Sequence, residues 1–173
     1  GIAQTAIVSG FKVTLNDQRV EALDRAHDGI AKNLNREVEK GRMSQEDCDA
    51  AIARLSTSAS MQPAKDADLV IEAIFENLDA KQSVFKQLED ICPPHTIFAS
   101  NTSSISLTSL AAATKRPSQV VGMHFFSPVP KMKLCEVIFG LLTAQDVLEE
   151  IQHVGKKMGK TLILSDDKPG FIV

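Results

Sequence analysis

Apolar and polar positions along the chain switch between a period of about 3.6 and a period of about two, and the switches mark its elements. "GIAQTAIVSG" runs Ile2, Ala3, Ala6 and Ile7 at helical spacing, with Gly10 placed to end the helix in a left-handed cap. In "FKVTLND" Phe11, Val13 and Leu15 share one face, which predicts a strand that ends in Asp17. A charged amphipathic helix is predicted from about Arg19, broken at Gly41. A second helix follows, where Ser44 and Asp47 approximate a capping box. "ADLVIEAIFE" is nearly continuous in apolar residues, as a parallel strand covered on both faces requires. "NLDAKQSVFKQLEDI" returns to helical period and closes at Pro93 and Pro94. "HTIFASNTSS" reads as a strand and a polar loop, "ISLTSLAAAT" as a short helix, and "SQVVGMHFFS" as another strand. This alternation predicts an α/β fold with a doubly wound, mostly parallel sheet and a helical pair inserted after the "FKVTLND" strand.

In such sheets ligands sit beyond the carboxyl ends of the strands. Asp17, Glu76, the "SNTSS" loop at 100–104 and His124 all fall at or just past predicted strand ends, which would bring them to one crevice. An acid at the end of a second strand binds the adenosine ribose in dinucleotide-binding folds, about 20 residues after a glycine-rich turn. Asp17 suits that role, although the turn would then precede Gly1. Simpler readings compete. Asp17 would also serve as a helix N-cap, Ser103 and Ser104 as caps of the 105–114 helix (the favoured role for Ser104), and Glu76 and Lys81 as solvated charges. An isolated histidine in an apolar strand is usually a packed core residue, and His27, His95 and His153 receive no function.

Composition narrows the field. With 43% hydrophobic and 24% charged residues the 173-residue chain suits one compact domain. A net charge of −3, with basic residues scattered among acidic ones, offers no footprint for nucleic acid or an anionic membrane. Cys48, Cys92 and Cys135 form no CxxC pair and read as free thiols, with no metal site. No apolar run approaches the roughly 20 residues that cross a bilayer.

The segment "HFFSPVPKMKLCEVI" places His124 and Glu136 at either end of a turn containing Pro128 and Pro130. Together with "VIEAIFEN", "FASNTSSIS" and "KPGFIV", in this order, it resembles the NAD-dependent L-3-hydroxyacyl-CoA dehydrogenases of fatty-acid β-oxidation and their 3-hydroxybutyryl-CoA relatives. The resemblance covers essentially the whole chain. It implies a Rossmann-type NAD-binding domain in residues 1–173, with the first strand and glycine turn lying ahead of Gly1. A helical domain that dimerises and completes the acyl-CoA site is expected beyond Val173. On this reading the isolated 173 residues would have little activity of their own, and the unpaired sheet edges would invite association.

The resemblance also assigns residues. His124 would be the base for the hydroxyl proton and Glu136 the carboxylate that fixes its ring. Ser103 would contact substrate and cofactor near the reacting carbon. Asp17 would bind the adenosine ribose, Glu76 and Lys81 the nicotinamide-side ribose, and Ser127 and Asn101 would lie near the nicotinamide. Lys40 would meet the CoA phosphates, with Arg36 and Arg42 as rivals. The expected compartment is the cytoplasm in bacteria or the mitochondrial matrix in eukaryotes. The alternative is a non-catalytic NAD-binding structural protein, like the lens crystallins of this fold; retention of both His124 and Glu136 favours the enzyme.

Overall fold

The computed structural model describes residues 1–168, so "KPGFIV" from Pro169 onward lies outside the described residues. The chain divides into two compact units, Gly1–Pro63 with Pro128–Pro130, and Ala64–Ser127 with the chain from Lys131 on.

In the first unit α1 (Ile2–Val8) leads to β1 (Val13–Asn16), α2 (Val20–Glu39), α3 (Gln45–Ala53) and β2 (Leu55–Ser58). Helix α1 ends as the sequence requires. Gly10 takes φ +90°, and its N–H and that of Phe11 donate to Ile7 and Ala6 carbonyls that the helix leaves open. The same motif recurs at Gly41, φ +68°, between the paired helices. Ser44 caps α3 by accepting the Asp47 N–H at 3.0 Å, and its own hydroxyl donates to the Asp47 carboxylate at 2.8 Å. The helical pair closes a small core of Ile7, Ile30, Leu34, Cys48 and Ala51.

Strand β2 carries one apolar residue in four and gave no strand signal. It forms because β1 offers a parallel partner, Val13 opposite Leu55 through Asn16 opposite Ser58, and because the Asn16 amide donates to the Ser58 and Ser60 carbonyls at 2.7 and 2.8 Å.

The second unit is a five-stranded sheet in the order β3 (Leu69–Glu72), β4 (Ile97–Ser100), β5 (Val120–Phe125), β6 (Leu134–Phe139), β7 (Thr161–Asp166). Helices α4 (Leu78–Ile91), α5 (Leu107–Ala111) and α6 (Gln145–Lys157) connect its strands. All neighbours run parallel except β5 and β6. The apolar run "ADLVIEAIFE" is strand only from Leu69 to Glu72. Beyond it the backbone leaves the sheet and Phe75 is 72% exposed, because β4 pairs with β3 only as far as Glu72 opposite Ser100.

Strand β4 is buried throughout, and Phe85 of α4 stacks on Phe98 with ring centroids 5.4 Å apart. Gly122 in β5 is needed for close approach, since a Cβ there would lie 2.9 Å from Ile138 Cβ and 3.3 Å from Leu107 Cδ2. The N-cap of α5 is Ser106, which accepts the Ser109 N–H, and not Ser104 as the sequence suggested. A carboxylate reinforces that cap. Asp167, just past β7, accepts the Leu107 and Thr108 amides at 2.9 and 2.8 Å and the Ser106 hydroxyl at 2.8 Å.

Candidate active site

The ladder between β4 and β5 stops at Ser100 opposite Gly122, while β5 continues through His124 to Phe125, paired only with β6. The carboxyl ends of two strands that part company are the place where open α/β sheets bind ligands. Asn101 bridges the gap. Its Oδ1 accepts the Phe125 N–H at 2.9 Å, and its own N–H donates to the Glu72 carbonyl at 2.8 Å.

Across the antiparallel pair His124 stands directly opposite Glu136, so both side chains project from the same face of the sheet. Their atoms meet, with His124 Nδ1 2.7 Å from Glu136 Oε2. The carboxylate is fully buried, whereas the imidazole keeps 16% of its surface exposed. The Phe126 ring lies 4.6 Å from the imidazole centroid. A buried carboxylate against Nδ1 favours the tautomer with the proton on that nitrogen and leaves Nε2 as the basic one.

A second polar assembly occupies the ends of β3 and β4. Lys81, 1% exposed, donates to Glu72 Oε1 at 2.8 Å and to the Ile74 carbonyl at 3.2 Å, and its ammonium lies 3.4 Å from Glu76 Oε2. Glu72 Oε1 also accepts the Ile74 N–H at 2.7 Å, and its Oε2 accepts the buried Ser100 hydroxyl at 2.6 Å. Glu76 Oε1 gathers the Thr102 hydroxyl, the Ser103 and Ser104 amides at 3.0 and 3.2 Å, and the Ser104 hydroxyl at 3.2 Å. Burial pushes the Glu76 carboxyl upward, but these donors and the Lys81 charge outweigh it and hold its pKa below the usual carboxylate value. The loop that carries Ser103 is thus tied to Glu76 by its backbone, and the exposed Ser103 hydroxyl makes no hydrogen bond among the described residues.

Within this unit the structure therefore joins His124 to Glu136, Glu76 to Lys81 and to the Ser103 loop, and Asn101 to β5. Ser127 is exposed two residues past β5. Lys81, 1% exposed, lies between the Glu72 and Glu76 carboxylates. Sequence reasoning missed Glu72, and reached Ser100 and Thr102 only as members of the "SNTSS" loop. A solitary carboxylate inside the apolar "LVIE" run was the available signal, since a buried charge needs a partner.

In the other unit Asp17 follows β1, with its side chain 37% exposed and Oδ1 accepting the Arg19 N–H at 2.9 Å. Lys40 caps α2 and faces Glu37 at 3.8 Å, and Arg42 lies 3.5 Å from the same carboxylate. The three cysteines are free and buried, and burial raises the Cys135 thiol to about 12.

Parallel strands, two of which part at their carboxyl ends, and a histidine–carboxylate pair beside that point define a Rossmann-type α/β protein. The chain belongs to the family of the 3-hydroxyacyl-CoA dehydrogenase NAD binding domain, which it matches over residues 1–168. It is 48% identical over 172 residues, 99% of this chain and 60% of the relative, to a probable 3-hydroxybutyryl-CoA dehydrogenase of Bacillus subtilis. It is 44% identical over 173 residues, its whole length and 36% of the relative, to 3-hydroxyadipyl-CoA dehydrogenase of Escherichia coli. The crystal structure of 3-hydroxybutyryl-CoA dehydrogenase from Ralstonia eutropha superposes with a TM-score of 0.96 at 40% identity, covering 99% of this chain and 61% of that one. The chain thus spans between about one third and two thirds of the length of these relatives.

Proposed function

We propose that these residues form the nucleotide-binding part of an NAD-dependent oxidoreductase that interconverts (S)-3-hydroxyacyl-CoA and 3-oxoacyl-CoA. The observation that carries this reading is the 2.7 Å contact between His124 Nδ1 and the buried Glu136 carboxylate, at the point where β4 and β5 separate.

The residues present suit the cofactor. Asp17 offers a partly exposed carboxylate past β1, a good acceptor for paired ribose hydroxyls, and Glu76 keeps Oε2 on the side away from its amide cluster. A bound nicotinamide would supply the hydride chemistry at the carbinol carbon. The chain's own residues handle the proton. His124 Nε2 takes it from the substrate hydroxyl, and the positive ring that forms is stabilised through Nδ1–H by Glu136. In reduction the same ring returns the proton to the ketone oxygen. The Ser103 hydroxyl, held on a loop fixed by Glu76, is able to donate to a ketone or accept from an alcohol. Asn101 and Ser127 would border the nicotinamide, Lys81 would position Glu76, and Lys40 would offer a cation to the CoA phosphates. Dimerisation through a helical domain, implied by the resemblance, is the expected assembly, and sedimentation checks it.

The test is turnover of acetoacetyl-CoA with NADH by a polypeptide that carries these residues at the relatives' full length. Measurable reduction of the thioester is expected, with none of free acetoacetate at equal concentration. Equal turnover of both, or turnover of neither, refutes the substrate class.

A further inference from the structure

The end of β1 holds more than an acid. Asp17 Oδ1 accepts both the Arg19 backbone N–H, at 2.9 Å, and its Nε–H, at 3.3 Å, while Nη2 stands 3.5 Å from Oδ2. Guanidinium and carboxylate therefore face each other side by side. The Arg25 charge acts on Asp17 in the same direction, and Glu21 acts on Arg19 in addition to Asp17 itself. The Arg19 side chain is 73% exposed, so it swings without disturbing packing.

A carboxylate at this position selects unphosphorylated dinucleotides in two ways: it accepts the ribose 2′-hydroxyl, and its charge repels a 2′-phosphate. A nearby arginine does the reverse. Here the arginine lies on the acid itself. Its charge cancels the repulsion, and its planar fork of donors matches a phosphate better than a single carboxylate oxygen does. An exposed ion pair is weakly held, so an incoming phosphate competes for it readily.

On the dinucleotide reading above, we infer that Arg19 is the residue that sets selectivity at the ribose 2′ position. Through its pairing with Asp17 it admits 2′-phosphorylated nicotinamide dinucleotides alongside NAD.

Calorimetric titration of NAD and of NADP into the same full-length polypeptide tests this, with circular dichroism confirming that each variant folds. The expected ratio of the two dissociation constants is within about tenfold for the unsubstituted protein. Arg19→Thr should shift the ratio about tenfold further toward NAD, the value of one good charge-assisted contact, and Arg19→Lys should fall between. Raising the salt concentration should weaken NADP more than NAD. A ratio that Arg19→Thr leaves unchanged overturns the inference while leaving the dinucleotide reading intact. Failure of both nucleotides to bind overturns that reading, and the inference falls with it.

Discussion

Two carboxylates are buried in the same five-stranded sheet, each against a basic group, and their surroundings send them to different work. Glu72, at the end of β3, holds the Lys81 ammonium at 2.8 Å, and that lysine is 1% exposed, with further contacts to the Ile74 carbonyl and Glu76. Glu136, in the middle of β6, holds His124 Nδ1 at 2.7 Å, and that ring keeps 16% of its surface open. Lysine spends its protons on the scaffold and sits against Glu76, the carboxylate that ties down the separate loop bearing Ser103. Histidine has two distinct nitrogens, so one can be anchored while the other exchanges a proton. The comparison teaches that a buried ion pair by itself marks neither structure nor catalysis; what decides is whether the basic partner has a second nitrogen besides the one the carboxylate anchors.

The largest separation between the two pairs should appear in turnover. His124→Gln should lower kcat by about 10²–10⁴-fold, the range of a lost general base, while the unfolding temperature moves little. Steady-state kinetics and thermal unfolding on one preparation check both halves, and a kcat within a few-fold of the unsubstituted protein breaks the contrast.

Lys81→Met should act the other way, mainly on stability. It strands Glu72 in the interior and should cost about 3–5 kcal/mol of a total near 5–15 kcal/mol. The double variant Glu72→Gln with Lys81→Met removes the orphaned charge and should recover most of that loss. Urea unfolding of the set measures it. Additive losses in the double variant would mean that the two residues are not coupled.

A smaller, pH-dependent effect is expected at Asp167. Burial pushes its carboxyl up, but the Thr108 and Leu107 amides and the Ser106 hydroxyl prevail and hold the pKa below the usual value. A carboxyl depressed in the folded state stabilises fully above its unfolded pKa, about 3.9, and the contribution fades as pH falls through the folded value. Asp167→Ala should therefore cost about 1 kcal/mol at neutral pH, and the difference should shrink in acid. Unfolding curves at several pH values distinguish this from a pH-independent packing loss.

The smallest effect is chemical. Burial raises the pKa of all three cysteines, that of Cys135 to about 12, so alkylation at pH 8 should label none of them until denaturant is added.

Elements with a clean period were legible in the sequence: α1 with its Gly10 stop, β1, the helical pair with Ser44 at the second start, and the β5 segment leading to His124. The His124–Glu136 meeting was legible only through the resemblance, because cross-strand register depends on the 126–133 connection and no period encodes it. Strand β2 escaped notice because its partner, not its composition, makes it a strand. The apolar run from Ala67 overstated β3, because the run continues past the point where β4 stops pairing. Ser104 lost its expected capping role to Ser106 because Glu76 draws the Ser104 amide and hydroxyl away from the helix. The Glu72–Lys81 pair was hidden for a related reason: nine residues separate its members, and only the turn from strand to helix brings them together.

The proton position on the His124 ring tests the central claim most directly, and nitrogen-15 NMR of the imidazole reads it. In the neutral ring the proton should sit on Nδ1, directed at Glu136, with the lone pair on Nε2; in Glu136→Gln that preference should weaken. A neutral ring protonated on Nε2 in the unsubstituted protein would contradict the account.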